Sequence, residues 1–210
     1  MANKDLPYGF RAVRHLSGSP WNGQTMKAYG SSTITVNTYI GDPLLYDGDS
    51  CARGCCPKIA LVATGQTVEM VGAAASFTTE HGNPLGDNAV PDGLPYRRAY
   101  TAKYVNVVID PDVIFQIQGD STAAINIADV GSNIEMIATA HTGAAALGLS
   151  PYELKGGSAV QDKTEQIWLM GKVDRPDNDI TLVNADWYVL FNTHKLLRMS
   201  SGVLGNVLGI

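Results

Sequence analysis

Glycine and proline interrupt this chain so often that few stretches are long enough for a helix. There are 22 glycines and 10 prolines in 210 residues. Set among many β-branched residues, they favour short strands joined by tight turns. Several runs have the right pattern. Ser32 to Ile40 alternates, with Ile34, Val36 and Ile40 on one face, and Gly41-Asp42-Pro43 ends it. Asp47-Gly48-Asp49-Ser50 then reads as a turn. Lys58 to Ala63, Thr67 to Phe77, Lys103 to Ile109 and Ile134 to Ala138 read as strands. Asp112 to Gln118 places Val113, Phe115 and Ile117 on one face. Gln166 to Val173 and Asp186 to Asn192 form the closing pair, joined through the turn Arg175-Pro176-Asp177-Asn178-Asp179. This spacing predicts an all-β domain, a β-barrel or jelly-roll-like sandwich.

One short helix is expected over Ser121 to Val130, with Ser121 as cap, Ala123, Ala124, Ile127 and Ala128 as apolar stripe, and Gly131 as stop. Ser150 to Leu154 reads as a single capped turn, and residues 80–96 as a long, proline-stiffened loop. Residues 1–30 behave differently. The stretch Leu6 to Gly23 has neither a helical period nor sustained alternation, yet Tyr8, Phe10, Val13 and Trp21 are too apolar for a solvated tail. The expected division is an extended N-terminal arm over 1–30, a β-rich core over 31–198 and an apolar tail over 199–210 that docks on its own core or a neighbour.

Composition narrows the function. A formal net charge of −5, with no cluster of Lys or Arg, argues against a nucleic-acid partner. The apolar runs are too short to span a bilayer, and Met1 to Asp5 lacks the start of a secretory signal. No membrane partner is expected. Cys51, Cys55 and Cys56 sit together; the odd count argues against a disulfide framework, and their spacing matches no familiar zinc pattern. A metal would need a fourth ligand, and the nearest histidine in sequence is His81. The plain expectation is three reduced thiols in a loop, with no cofactor. Phosphate-loop, nucleophile-elbow and zinc-helix motifs are absent from the sequence. His15, His81, His141 and His194 fall in separate segments, with His194 the best lone candidate base. Asp110, Asp112 and Asp120 lack a calcium-loop pattern and read as solvated acids. Trp168 and Trp187 could form a sugar-stacking platform, although their alternation with Leu169, Val189 and Phe191 favours the core. The expectation is a protein that is not an enzyme.

Several blocks occur in order along most of the chain. They are Leu6 to Val13 (around Pro7-Tyr8-Gly9-Phe10-Arg11), Gly18 to Gly23, Tyr39 to Pro43, Asp110 to Gln118, Arg175 to Asn178, and Trp187 followed by Asn192-Thr193-His194. In this order they resemble a family of tailed-bacteriophage virion proteins described as head decoration or capsid cement proteins. The resemblance implies binding to the outer surface of the expanded icosahedral shell, with the major capsid protein as partner and no catalysis. It also implies synthesis in the host cytoplasm and residence on the capsid exterior. Self-association as dimers or trimers at symmetry axes is expected with it. The residues suggest how binding would work. Tyr8, Phe10 and Trp21 would be buried anchors, Arg11 and Arg14 would pair with acidic groups, and the arm could add a strand to a capsid edge or pack across its own domain. The alternative is a carbohydrate- or host-surface-binding β module of the virion tail.

Overall fold

The computed structural model describes residues 3–64, 68–78, 96–138, 148–161 and 165–196. It is all-β, and the described residues include no α-helix. Sheet A has five antiparallel strands: β1 (Arg11–His15), β7 (Val113–Gln118), β12 (Asp186–Phe191), β11 (Ile167–Lys172) and β8 (Asn133–Ile134), in that order. A second group closes on itself: β2 (Met26–Gly30), β4 (Pro57–Leu61), β3 (Pro43–Ser50), β5 (Gly72–Thr78) and β6 (Lys103–Val108). This ring is not a regular barrel. β2 runs parallel to β4, whereas β3 meets β5 through only Pro43↔Ala73 and Leu44↔Gly72. A hairpin of β9 (Met136–Ala138) and β10 (Tyr152–Leu154) completes the fold.

Strand alternation builds two cores back to back. In β7, Val113, Phe115 and Ile117 point inward and meet Trp187, Val189 and Phe191 of β12 in the main core. The ring supplies the facing layer. Ala73 of β5 and Val108 of β6 join the main core, while their neighbours Ala74 and Val107 fill the ring interior with Leu44, Ile59 and Phe77. Each of these two strands therefore serves both cores.

Four local expectations are corrected. Ser32 to Ile40 is not a strand; only Thr38 and Ile40 make isolated bridges, and Val36 is exposed. Side-chain bonds from Arg97 hold this segment in an irregular loop. Asp47 to Ser50, expected as a turn, extends β3 into an exposed half-strand, and the turn falls later at the cysteines. The helix expected over 121–130 shrinks to one 3-10 turn, Ile127–Asp129, closed by Asn126 N–H donating to Asp129 Oδ2 at 2.9 Å. Ile125 is the buried residue of that stretch. A short helix with so little to bury cannot recover its nucleation cost. Tyr152 to Leu154, expected as a capped turn, is strand β10. The loop over residues 80–96 falls almost wholly outside the described residues, and the tail over 199–210 does so entirely.

Candidate functional site

The arm is a working part of the domain. Phe10 is 3% exposed, with its ring 4.8 Å from Phe191 and, edge-on, 6.0 Å from Phe115. A crossing of two glycines brings it there. Phe10 N–H donates to Gly41 O at 2.9 Å. Both Gly9 (φ +69°) and Gly41 (φ +90°) adopt left-handed backbone. A Cβ on Gly9 would lie 2.5 Å from Gly41 O, and one on Gly41 would lie 2.4 Å from Tyr8 O. No other residue permits so close a crossing.

Polar ties run along the rest of the arm. Asn3 Nδ2 donates to Asp179 O and Val183 O, and Gln118 accepts from Leu6 N–H while donating to Lys4 O. Tyr8 Oη donates to Asp186 Oδ1 at 2.7 Å. Asp186 is itself held by Gln116 at 3.1 Å and Arg175 at 2.6 Å. Burial first, then the adjacent Asp186 charge, pushes the Tyr8 hydroxyl pKa well up, so it stays a donor. β1 pairs with β7 on one side. Its other side is partly covered, because Trp21 N–H donates to Val13 O and His15 N–H to Ser19 O. Backbone needed for strand addition is thus already engaged.

Beside the docked arm, where the two sheets part, lies a groove of about 600 Å³. Its walls are Leu6, Tyr8, Phe10, Arg11, Ala12 and Trp21 from the arm, and Ile40, Ala74, Ala75, Val108 and Leu149 from the ring side. Four of the five expected binding residues therefore meet here: the anchors Tyr8, Phe10 and Trp21, with Arg11. Phe10 forms the floor as a core residue, Arg11 is exposed, and the half-buried Trp21 keeps its indole N–H without a hydrogen-bond partner. Arg14 stands apart, exposed, with its guanidinium 5.1 Å from the Tyr188 ring centroid. An apolar cleft of this size with one cation at its edge suits an apolar side chain carried on a polar backbone.

The other candidates separate. His194 is buried, and its Nδ1 accepts from Leu196 N–H at 3.1 Å. His15 Nδ1 lies 3.3 Å from Asp110 Oδ2, a proximity with no signal in sequence spacing. His81 and His141 lie outside the described residues. Asp110 precedes β7 and Asp120 follows it; Asp120 is buried and accepts Gly156 N–H, so the three acids do not converge. Trp187 is fully buried in the core, whereas Trp168 is half-buried with its indole bonded to Gly131 O, so the two present no shared platform. The cysteines lie at the tip joining β3 to β4, with Cys51 and Cys56 buried and Cys55 exposed. The hydrogen bond with Cys55 draws the Cys51 thiol pKa down, and burial pushes that of Cys56 up. Among the described residues, no helix is long and apolar enough to cross a membrane.

Two buried groups near the glycine crossing and the core give opposite pH dependences. Burial raises the Asp42 carboxyl from 3.8 to about 7, against the opposing bond from Tyr39 N–H, and its Oδ1 has no partner. Burial lowers His194 from 6.5 to about 4. Asp42 binds its proton more tightly when folded, so its contribution is complete below about pH 4 and is lost as pH rises through 7. His194 binds less tightly when folded, so its contribution is complete above about pH 6.5 and is lost as pH falls through 4. In the overlapping window the slopes oppose. Relative to wild type, Asp42→Asn should make stability rise with pH, by up to about 1.4 kcal/mol per unit, and His194→Gln should make it fall. Urea midpoints across that window check this. Unchanged slopes in both variants contradict it.

Comparison with family models, with curated proteins and with solved structures found no match.

Proposed function

We propose that this chain is a capsid cement, or decoration, protein of a tailed phage. It binds the outer surface of the expanded icosahedral shell and bridges major capsid protein subunits, without catalysis. The observation that carries the reading is the groove along the docked arm, which gathers Tyr8, Phe10, Arg11 and Trp21 around one apolar cleft. The ordered resemblance from Leu6 to His194 supports it. The engaged backbone of β1 changes the expected mode of contact. In this reading the arm shapes a receptor for an apolar side chain on a shell segment, while Arg11 at the groove and Arg14, apart from it, pair with acidic groups. Self-association at dimer or trimer axes lets one molecule reach several subunits.

Co-sedimentation with expanded shells of the major capsid protein tests this. Arg11→Glu reverses an exposed charge, and Trp21→Ala opens the groove wall. Each should weaken binding at least about tenfold, the scale of an interface hot spot, with circular dichroism unchanged. Folded variants that bind shells as tightly as wild type would remove the groove from the interface. Failure of the wild-type chain to sediment with shells would remove the cement reading itself.

A further inference from the structure

We propose that Cys51, Cys55 and Cys56 form a site for one soft divalent cation of the zinc class, bound by three thiolates with its fourth position open to solvent beside Cys55. The inference does not depend on the cement reading. The three Sγ atoms all lie within 4.8 Å of one another, the only such grouping of three or more Cys, His, Asp or Glu among the described residues. Zinc–sulfur bonds of about 2.3 Å in tetrahedral geometry set sulfur atoms roughly 3.8 Å apart. The Cys51 and Cys55 sulfurs are 3.1 Å apart, so they need to separate by roughly 0.7 Å to reach that spacing. Side-chain rotation suffices, because the backbone already presents all three.

The hairpin tip explains why they are presented. Cys51 ends the β3 side and Cys56 begins the β4 side, with Cys51 N–H donating to Cys56 O at 3.0 Å. Gly54, left-handed at φ +65°, turns the chain back so that its N–H donates to Cys51 O at 2.8 Å. That turn aims Cys55 N–H at Cys51 Sγ, 3.3 Å away. An amide pointed at sulfur supports a thiolate ligand, as partners of a ligand do in metal sites generally. Tyr104 and Tyr29 pack beneath Cys51 and Cys56, while Cys55 faces water. A buried floor with one exposed ligand leaves a coordination position accessible, as in open three-ligand zinc sites. Thiolates select soft cations over magnesium or calcium. Loading one cation releases the thiol protons to solvent, with no oxidant or reductant required.

The test titrates the reduced, metal-free full chain with Co²⁺ and then Zn²⁺. One equivalent of Co²⁺ should produce thiolate-to-cobalt charge-transfer absorption, and Zn²⁺ should abolish it by displacement. Because Cys55 is exposed, Cys55→Ser folds, and it should lower Zn²⁺ affinity, read by chelator competition, at least about a hundredfold. That exceeds the usual loss from removing an outer-shell partner. Cys51→Ser should do the same. Three results would each overturn the proposal: no charge-transfer band at one equivalent, unchanged Zn²⁺ affinity in Cys55→Ser, or a Cys51–Cys55 disulfide forming in glutathione buffer while Zn²⁺ is saturating.

Discussion

Arg97→Met is expected to cost the domain about 3–5 kcal/mol, because it strips the donors from buried acceptors. Arg97 is fully buried, and burial lowers its pKa to about 10, so it remains a cation at neutral pH. Its principal partners are carbonyls. Nη1 donates to Arg98 O at 2.9 Å, to Thr101 O at 2.8 Å and to Ser31 O at 3.4 Å. Nη2 donates to Val36 O at 2.7 Å and Ile34 O at 3.5 Å, and Nε to Thr38 Oγ1 at 3.1 Å. Thr38 and Arg97 also exchange backbone bonds of 2.8 and 2.9 Å. Methionine would match much of the apolar stem, which isolates the loss of the guanidinium. Removing a buried charge regains some hydration, but each acceptor left dry costs about 1–3 kcal/mol, and the bonds to Ser31 O and Thr38 Oγ1 are both buried. The orphaned acceptors win. Arg97→Lys should recover little, because an ammonium on a flexible stem cannot reproduce the planar fork. Urea denaturation reads the loss. Hydrogen exchange should show early loss of protection at Thr38 and Tyr100, whose N–H groups bond to Arg97 O and Ile34 O. A midpoint within about 0.5 kcal/mol of wild type would contradict this account, since that is the scale of an indifferent surface change.

Phe10→Ala is expected to cost about 3–5 kcal/mol, and deletion of residues 1–23 to abolish folding. The ring fills a space bounded by Phe115 and Phe191, which are themselves 4.8 Å apart. Truncation leaves a cavity there that rigid strands cannot close. The deletion goes further. It strips β1 from β7, exposing a strand edge, and removes the Tyr8 bond to Asp186. Against a typical total stability of about 5–15 kcal/mol, these losses together leave little folded protein. Sequence alone divides the arm over 1–30 from the core over 31–198; the position of Phe10 makes the arm part of that core. Point changes at Arg11 and Trp21 are therefore the right probes of binding. A folded 1–23 deletion, with native near-ultraviolet dichroism, would contradict this picture of the arm.

Much of the fold was legible wherever alternation and burial agree. β6, β7, β11 and β12 lie where apolar runs predict them, because both neighbours of each strand are in the same sheet or ring; β7, β11 and β12 turn their apolar alternation to the main core, and β6 is buried against both cores. Ser32 to Ile40 has the same pattern and still fails as a strand. Its carbonyls are claimed by a cation more than sixty residues away, and arginine in a sequence reads as surface. The helix at 121–130 has the end signals and an apolar stripe, but that stripe finds nothing to pack against, and Ile127 and Ala128 are exposed. In the arm, aromatic content marked Tyr8, Phe10 and Trp21 as anchors, but their partners lie far along the chain: Gly41, Phe115, Asp186 and Phe191. Periodicity carries no information about such distant pairings. The cysteines are a similar case, since spacing gives no zinc pattern, whereas the left-handed turn at Gly54 brings the sulfurs together.

The proposed role turns on where the protein resides and in what number. Quantitative mass spectrometry of virions of the tailed phage that the proposal implies, scaled to the major capsid protein, measures both. A cement protein predicts copies near parity with the shell subunit, or a simple fraction of it. A few copies per particle would place the chain at the tail or portal and favour a host-surface-binding module, and its absence from the virion would contradict the account outright.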